Sequence, residues 1–170
     1  MKNIFIKLLF FIFFSSTSYA CALLQVPIGS TVNSAQNTFD FLSGHNSTVY
    51  GEYVTARYNV FAIDYCEGSG LENADLEVLV HENKVVGINL VSSTSEIKNE
   101  IYQFVKNRIA DPGEKVKNDD WSGSKDLSIG SLKMFYSKVN LRGQTLEIFE
   151  ITNSEMMKFT TFEEVQDVNG

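Results

Sequence analysis

The stretch from Asp75 to Ser92 constrains the fold more than any other part of the chain. Leu76, Val78 and Val80 alternate with Glu77, Leu79 and His81, and Val86, Ile88 and Leu90 alternate with Gly87, Asn89 and Val91. Alternation of period two, rich in β-branched residues, marks strands with one face in a core. The polar Glu82-Asn83-Lys84 between them can turn, because Asn83 tolerates the left-handed backbone a tight hairpin needs. A central β-hairpin is therefore predicted, with Glu77 and His81 on its polar side.

The first 20 residues read as a secretory leader. Lys2 and Lys7 form a short basic region, Leu8 to Phe14 is an unbroken apolar run, and Ser18-Tyr19-Ala20 offers small residues three and one positions before a cut. The run is short of the roughly 20 apolar residues that cross a bilayer, so a signal peptide is expected over 1–20 in preference to a membrane anchor. Residues 21–170 are then one domain of ordinary size, with 155–170 expected as a frayed tail.

Cleavage after Ala20 leaves Cys21 first. The chain has two cysteines, Cys21 and Cys66. In an exported chain that pair reads as one disulfide. A lipid anchor on Cys21 is the alternative. Ser18 stands where bacterial lipoprotein leaders usually carry leucine, and only Ala20 fits their pattern. Lipidation would also leave Cys66 as an odd thiol in an oxidising space.

Charge narrows the partners. Two of the 14 basic residues lie in the leader and none of the 21 acidic ones does, so residues 21–170 carry −9 against −7 for the whole chain. Nucleic acid and anionic membrane surfaces ask for clustered Lys and Arg. An acidic exported chain stays soluble and steers a basic protein partner toward itself.

Further elements follow from pattern. A helix is predicted from the Ser30 or Thr31 cap, with Val32, Ala35, Phe39 and Leu42 on one face and Gly44 as its stop. Val49 to Cys66 reads as strand, with a slip in alternation between Tyr58-Val60 and Phe61-Ile63-Tyr65 that suggests a bulge or a two-sided strand. A second helix is predicted over Ser93–Ala110, with Ser93 and Glu96 as a capping box and Asp111-Pro112-Gly113 as its end. Glu114 to Gly130 is a polar connection holding the single Trp121. Leu132–Val139 and Thr145–Thr152 make a second hairpin, with Gly143 in its turn. The order helix, strands, helix, strands predicts an α+β fold of antiparallel β-meanders with two helices on one face. The repeated element order raises the possibility of a tandem helix-plus-strands duplication, although no residue-level repeat accompanies it.

The opening Val26-Pro27-Ile28-Gly29-Ser30-Thr31 before an amphipathic helix resembles the start of small bacterial envelope proteins of the SmpA (BamE) and β-lactamase-inhibitor-protein type. The resemblance covers element order over most of residues 21–170. It implies helices laid against antiparallel meanders, and binding in place of catalysis. Ser122-Gly123-Ser124-Lys125 is similar to serine- and glycine-containing loops of periplasmic lysozyme inhibitors.

Candidate chemistry is sparse. The two histidines, His45 and His81, stand in no H-x-x-x-H or H-x-H pair, so no metal site is expected. No G-x-S-x-G motif and no glycine-rich phosphate loop followed by lysine is present. No cofactor is expected. Carboxylates cluster at Glu67, at Glu72 with Asp75, at Asp119-Asp120 and at Glu163-Glu164. Such a pair could serve a hydrolase, but its spacing is not readable from sequence. Two binding surfaces are expected: the acidic loop Asp119-Asp120-Trp121, since Trp is enriched at binding hot spots, and the polar sheet face with Glu77 and His81. A lone Trp is more often a cap on a core. The function expected is that of an exported, non-catalytic periplasmic inhibitor or immunity protein toward a basic cell-wall enzyme or toxin. An envelope assembly module and a carboxylate-pair hydrolase are the alternatives.

Overall fold

The computed structural model describes residues 27–37, 55–66, 68–71, 73–95 and 98–160. Strand β1 spans Thr55–Phe61, β2 Ala74–His81, β3 Lys84–Thr94, β4 Gly123–Asp126, β5 Leu132–Leu141 and β6 Gln144–Asn153. They form a single antiparallel sheet in the order β1-β2-β3-β6-β5-β4. Helix α1, Val32–Gln36, precedes the first three strands and helix α2, Glu100–Arg108, precedes the last three. The chain is thus α+β, with the element order helix–strand–strand–strand run twice. The third strand of each half meets the other at the centre, where Leu90 pairs with Phe149.

The β2–β3 hairpin is the one the alternation predicts. Leu76 pairs with Leu90 and Val78 with Ile88. Its two-residue turn places Glu82 at φ 46° and Asn83 at φ 63°, the pair of positive values that matches strand twist in a tight hairpin. A bulge at Val86 shifts the register, since Leu79 faces Gly87 but Val80 faces Val85. The carbonyl of Val86 is satisfied from β6, by the Thr152 hydroxyl at 2.6 Å. The β5–β6 turn repeats the device with Arg142 at φ 51° and Gly143 at φ 80°.

Pleating gives the sheet two faces. Leu76, Val78, Ile88, Leu90, Tyr136, Phe149 and Ile151 point to the face under the helices, all 3 % exposed or less. Val32 and Ala35 of α1 and Ile101, Tyr102, Phe104 and Val105 of α2 close the same core. Each fully buried aliphatic or aromatic side chain of this kind stabilises by roughly 1.5–3 kcal/mol relative to exposure.

Several expectations need correction. The second helix starts at Glu100, not Ser93. Ser93 is a strand residue paired with Leu146, because pairing with β6 carries β3 past the point where local capping chemistry would stop it. Glu96 lies outside the described residues. The α2 cap comes from the sheet instead: Glu147 Oε1 accepts the Tyr102 amide at 3.0 Å, satisfying one of the helix's orphan donors. The slip in alternation after Val60 is not a bulge. The chain leaves β1 at Phe61 for a 3-10 turn at Ala62–Asp64. The polar connection after α2 contains a 3-10 turn, Glu114–Lys117, and the short strand β4.

The first helix begins as predicted, Thr31 Oγ1 accepting the Ser34 amide at 3.4 Å, and its described part ends at Gln36. Phe39, Leu42 and Gly44 lie outside the described residues, as do the leader, Cys21, His45, the strand expected over 49–54, Glu67, Glu72 and residues 161–170. Of the tail, 154–160 is ordered against the sheet face opposite the helices. Its 3-10 turn Met157–Phe159 stacks Phe159 on His81, with ring centroids 4.3 Å apart. No helix among the described residues is long and apolar enough to cross a membrane.

Candidate functional site: the helix-free face of the sheet

The face turned away from the helices carries three zones, and strand register fixes each. At the β2–β3 hairpin end the tail covers it: His81 lies under Phe159, and a Cβ on Gly87 would stand 3.1 Å from Thr160 Cγ2. In the middle, pairing aligns Asn59, Glu77, Asn89 and Glu150 side by side across β1, β2, β3 and β6. Beyond that row, Phe61, Asp75, Val91 and Ile148 form a parallel row. Phe61 is 67 % exposed, Asp75 is exposed, and Val91, Ile148 and the neighbouring Leu146 are half-buried.

The middle row is polar and shielded. Glu77, Asn89 and Glu150 are 7 %, 3 % and 3 % exposed. Arg57 Nη1 donates to Glu77 Oε1 at 2.7 Å, and Asn89 Nδ2 donates to Glu77 Oε2 at 3.3 Å. Both Glu77 oxygens are therefore engaged, and its charge is balanced by the guanidinium. The Oδ1 atoms of Asn59 and Asn89 are buried without a hydrogen-bond partner, a state that costs about 1–3 kcal/mol each. Glu77 and Glu150 stand two strand spacings apart, roughly 10 Å between backbones.

The two surfaces expected from sequence are not brought together. Glu77 and His81 sit on the β2 half of the helix-free face. Trp121 belongs to the helix side, half-buried against the core and stacked on Tyr136 with centroids 6.3 Å apart. Asp119 and Asp120 are exposed beside it. Asn140 pins that loop, its Nδ2 donating to the carbonyls of Asp119 at 2.6 Å and Trp121 at 3.1 Å. Trp121 thus occupies the position of a core cap, and the loop offers its carboxylates to solvent without the indole.

A second polar cluster, buried on the helix side, was not anticipated. Lys138 is 0 % exposed, and its ammonium donates to Asn99 Oδ1 at 3.2 Å, the Val116 carbonyl at 3.0 Å and the Asn118 carbonyl at 2.8 Å. Glu147, its cross-strand neighbour, accepts from the Tyr136 hydroxyl at 2.6 Å as well as from the Tyr102 amide. Burial holds the Lys138 ammonium below its ordinary range, while Glu147 and Asp119 pull the other way. Burial, and then the Glu147 charge, pushes Tyr136 far above the ordinary phenol range. Such a cluster ties α2 and the turn after it to the sheet.

Arg57, Asn59, Asn89 and Glu150 were also missed as site residues. Their outward parity on alternating strands was a usable signal, but assembling them into one row requires the β3–β6 pairing. Among the described residues no group of three or more His, Cys, Asp or Glu side chains could hold a metal ion. Cys66 is 2 % exposed within the core, and no described cysteine is a free thiol. No family model, curated protein or solved structure matches the chain.

Proposed function

We propose that the protein is an exported binding protein without catalytic activity of its own, an inhibitor or immunity protein that engages a basic cell-wall-active enzyme or toxin through the helix-free face of its sheet. One observation carries this reading. Phe61, 67 % exposed at the end of an edge strand, projects beside the exposed Asp75 and the half-buried Val91 and Ile148. An aromatic anchor with apolar neighbours and a charged rim is the composition of an interface core. The −9 charge of residues 21–170 supplies long-range attraction for a basic partner. The leader places the encounter in the periplasm or outside the cell, and a Cys21–Cys66 disulfide fits that compartment. The exposed Asp119-Asp120 pair is a second acidic contact on the same reading.

The test is affinity capture from envelope extracts at low and high salt, comparing the native protein with Phe61→Ala, Asp75→Lys and Asp119→Lys/Asp120→Lys. The expected partner is basic. Its recovery falls at least tenfold with Phe61→Ala at all salt concentrations, and falls with Asp75→Lys mainly at low salt. Equal recovery by all three variants would remove both surfaces from the reading. Constitutive capture of an outer-membrane complex would instead assign an envelope assembly role. Turnover of cell-wall fragments by the pure protein would assign a hydrolase.

A further inference from the structure

Phe61 stands at the corner where β1 passes into the 3-10 turn Ala62–Asp64. The turn is fixed from both sides. Ala62 at its start and Cys66 just past its end are 0 % and 2 % exposed, and the Tyr65 amide donates back to the Ala62 carbonyl at 3.1 Å. The exposed Phe61 ring is therefore carried on an anchored backbone. Two carboxylates flank it. Asp75 is its direct cross-strand partner on β2, and side chains paired in that way have Cβ atoms about 4.5–5.5 Å apart. Asp64 is the third residue of the turn in which Phe61 holds the cap position, the spacing at which the two side chains of a capping box meet. Both aspartates are exposed. Among the described residues neither makes an ion pair or a side-chain hydrogen bond. The cation of β1, Arg57, lies four residues back along the strand, about 13 Å away, and its guanidinium is engaged by Glu77.

An exposed ring between two unpaired carboxylates selects by charge. An anion is repelled by both aspartates. A wholly apolar group would press on the ring and strip water from the carboxylates without offering them a partner. A cation satisfies all three groups, since it sits over an aromatic face within about 6 Å of the centroid and is neutralised by the carboxylates beside it. Arginine fits this arrangement better than lysine. Its planar guanidinium stacks on a ring while the N–H fork at its edge reaches carboxylates, whereas the lysine ammonium is compact and strongly hydrated. The half-buried Val91 and Ile148, next along the same row, give an apolar neighbour of that arginine a place to pack.

We infer that Phe61, Asp64 and Asp75 form a receptor for an arginine side chain of the protein partner, the guanidinium lying on the ring and paired by the two carboxylates. The receptor rests on the protein-binding reading above and names the group that its basic partner inserts. It is tested by titrating ¹⁵N-labelled protein at low ionic strength with the capped tripeptide Gly-Arg-Leu, with its lysine counterpart, and with its citrulline counterpart, which keeps the shape of arginine without the charge. The expected result is saturable shift changes centred on the amides of 61–65 and 74–76, strongest for arginine, weaker for lysine and absent for citrulline. Phe61→Leu weakens arginine binding about threefold, as loss of an exposed cation–π contact does, and Asp64→Asn with Asp75→Asn together weaken it by a similar or larger factor. Glu155→Gln, which removes an exposed charge from the tail, leaves it unchanged. No saturable shift with arginine, equal binding of citrulline or lysine, or unchanged affinity in both Phe61→Leu and the double aspartate variant would overturn the inference. A partner captured through Phe61 without any binding of the arginine tripeptide would overturn the receptor and leave the protein-binding reading standing, whereas saturable arginine binding with no partner captured would sustain the receptor's chemistry and refute that reading.

Discussion

Replacing Lys138 by methionine tests the buried cluster that joins helix to sheet. The ammonium is fully buried and donates to three oxygens, at 2.8, 3.0 and 3.2 Å. Three acceptors match the three N–H donors of an ammonium, whereas a neutral amine has only two. Methionine occupies similar volume, so the cavity contribution is small. Two backbone carbonyls, of Val116 and Asn118, lose their donor, and an unsatisfied buried group costs about 1–3 kcal/mol. Glu147, the cross-strand neighbour, also loses a nearby positive charge with which it makes no direct ion pair. The expected loss is therefore about 2–5 kcal/mol, a large part of the roughly 5–15 kcal/mol that holds a domain folded. Urea unfolding followed by circular dichroism at neutral pH measures it by linear extrapolation. Adding Glu147→Gln to Lys138→Met should recover part of the loss, with a coupling of about 0.5–3 kcal/mol. Glu147→Gln alone should speed hydrogen exchange at the Tyr102 amide, which it caps. The pH dependence has a definite sign. Burial holds the folded Lys138 below its ordinary 10.5, so in the window just below that value the unfolded chain binds more protons. The native protein therefore gains stability relative to Lys138→Met as pH rises through that window. A loss under about 1 kcal/mol, or a gain such as some buried ion pairs show on apolar replacement, would refute the assignment of Lys138 as the tie between α2 and the sheet.

Three further outcomes are expected. Reducing the protein, or Cys66→Ser, should lower stability by about 4 kcal/mol, the chain-entropy value for a loop of ~45 residues closed to Cys21; unchanged unfolding in the presence of reductant would exclude that pairing. Gly87→Ala should destabilise by about 1–3 kcal/mol through crowding, since its Cβ would meet Thr160 Cγ2 at 3.1 Å and the Ile151 carbonyl at 3.3 Å, and exchange protection over 157–160 should fall with it; full protection there would show that the tail is not seated on Gly87. Asp126 is held below its ordinary 3.8 by the Ser128 side chain and then by its amide. The native protein's advantage over Asp126→Asn should therefore be complete above pH ~4 and lost as pH falls through the depressed value, and an advantage that grows on acidification would reverse the sign.

The sequence by itself determined the local elements whose signals are short-range. The Asp75–Ser92 alternation specifies the β2–β3 hairpin, because a period-two pattern with Asn83 at a tight turn has few other solutions. Thr31 before Val32 and Asp111-Pro112-Gly113 after α2 likewise act within a few residues of themselves. Everything that depends on which strands meet was decided by tertiary structure. Ser93 reads as a helix cap, yet it is drawn into β3 because β6 lies alongside it. Leu146 and Ile148 alternate with Glu147 and Phe149, a pattern that leaves the inward face open. The structure buries Glu147, an unlikely inward residue until Tyr136, Tyr102 and α2 supply its partners. The row Asn59–Glu77–Asn89–Glu150 spans residues 59 to 150 and exists only through three antiparallel pairings. Trp121 leaves a core cap and a surface anchor both open in isolation, and it is Tyr136 beneath it that makes it a half-buried cap. The physical reason is the same in each case: backbone propensity and capping act over one turn or one hairpin, whereas burial and charge pairing are set by whichever distant segment the fold places opposite.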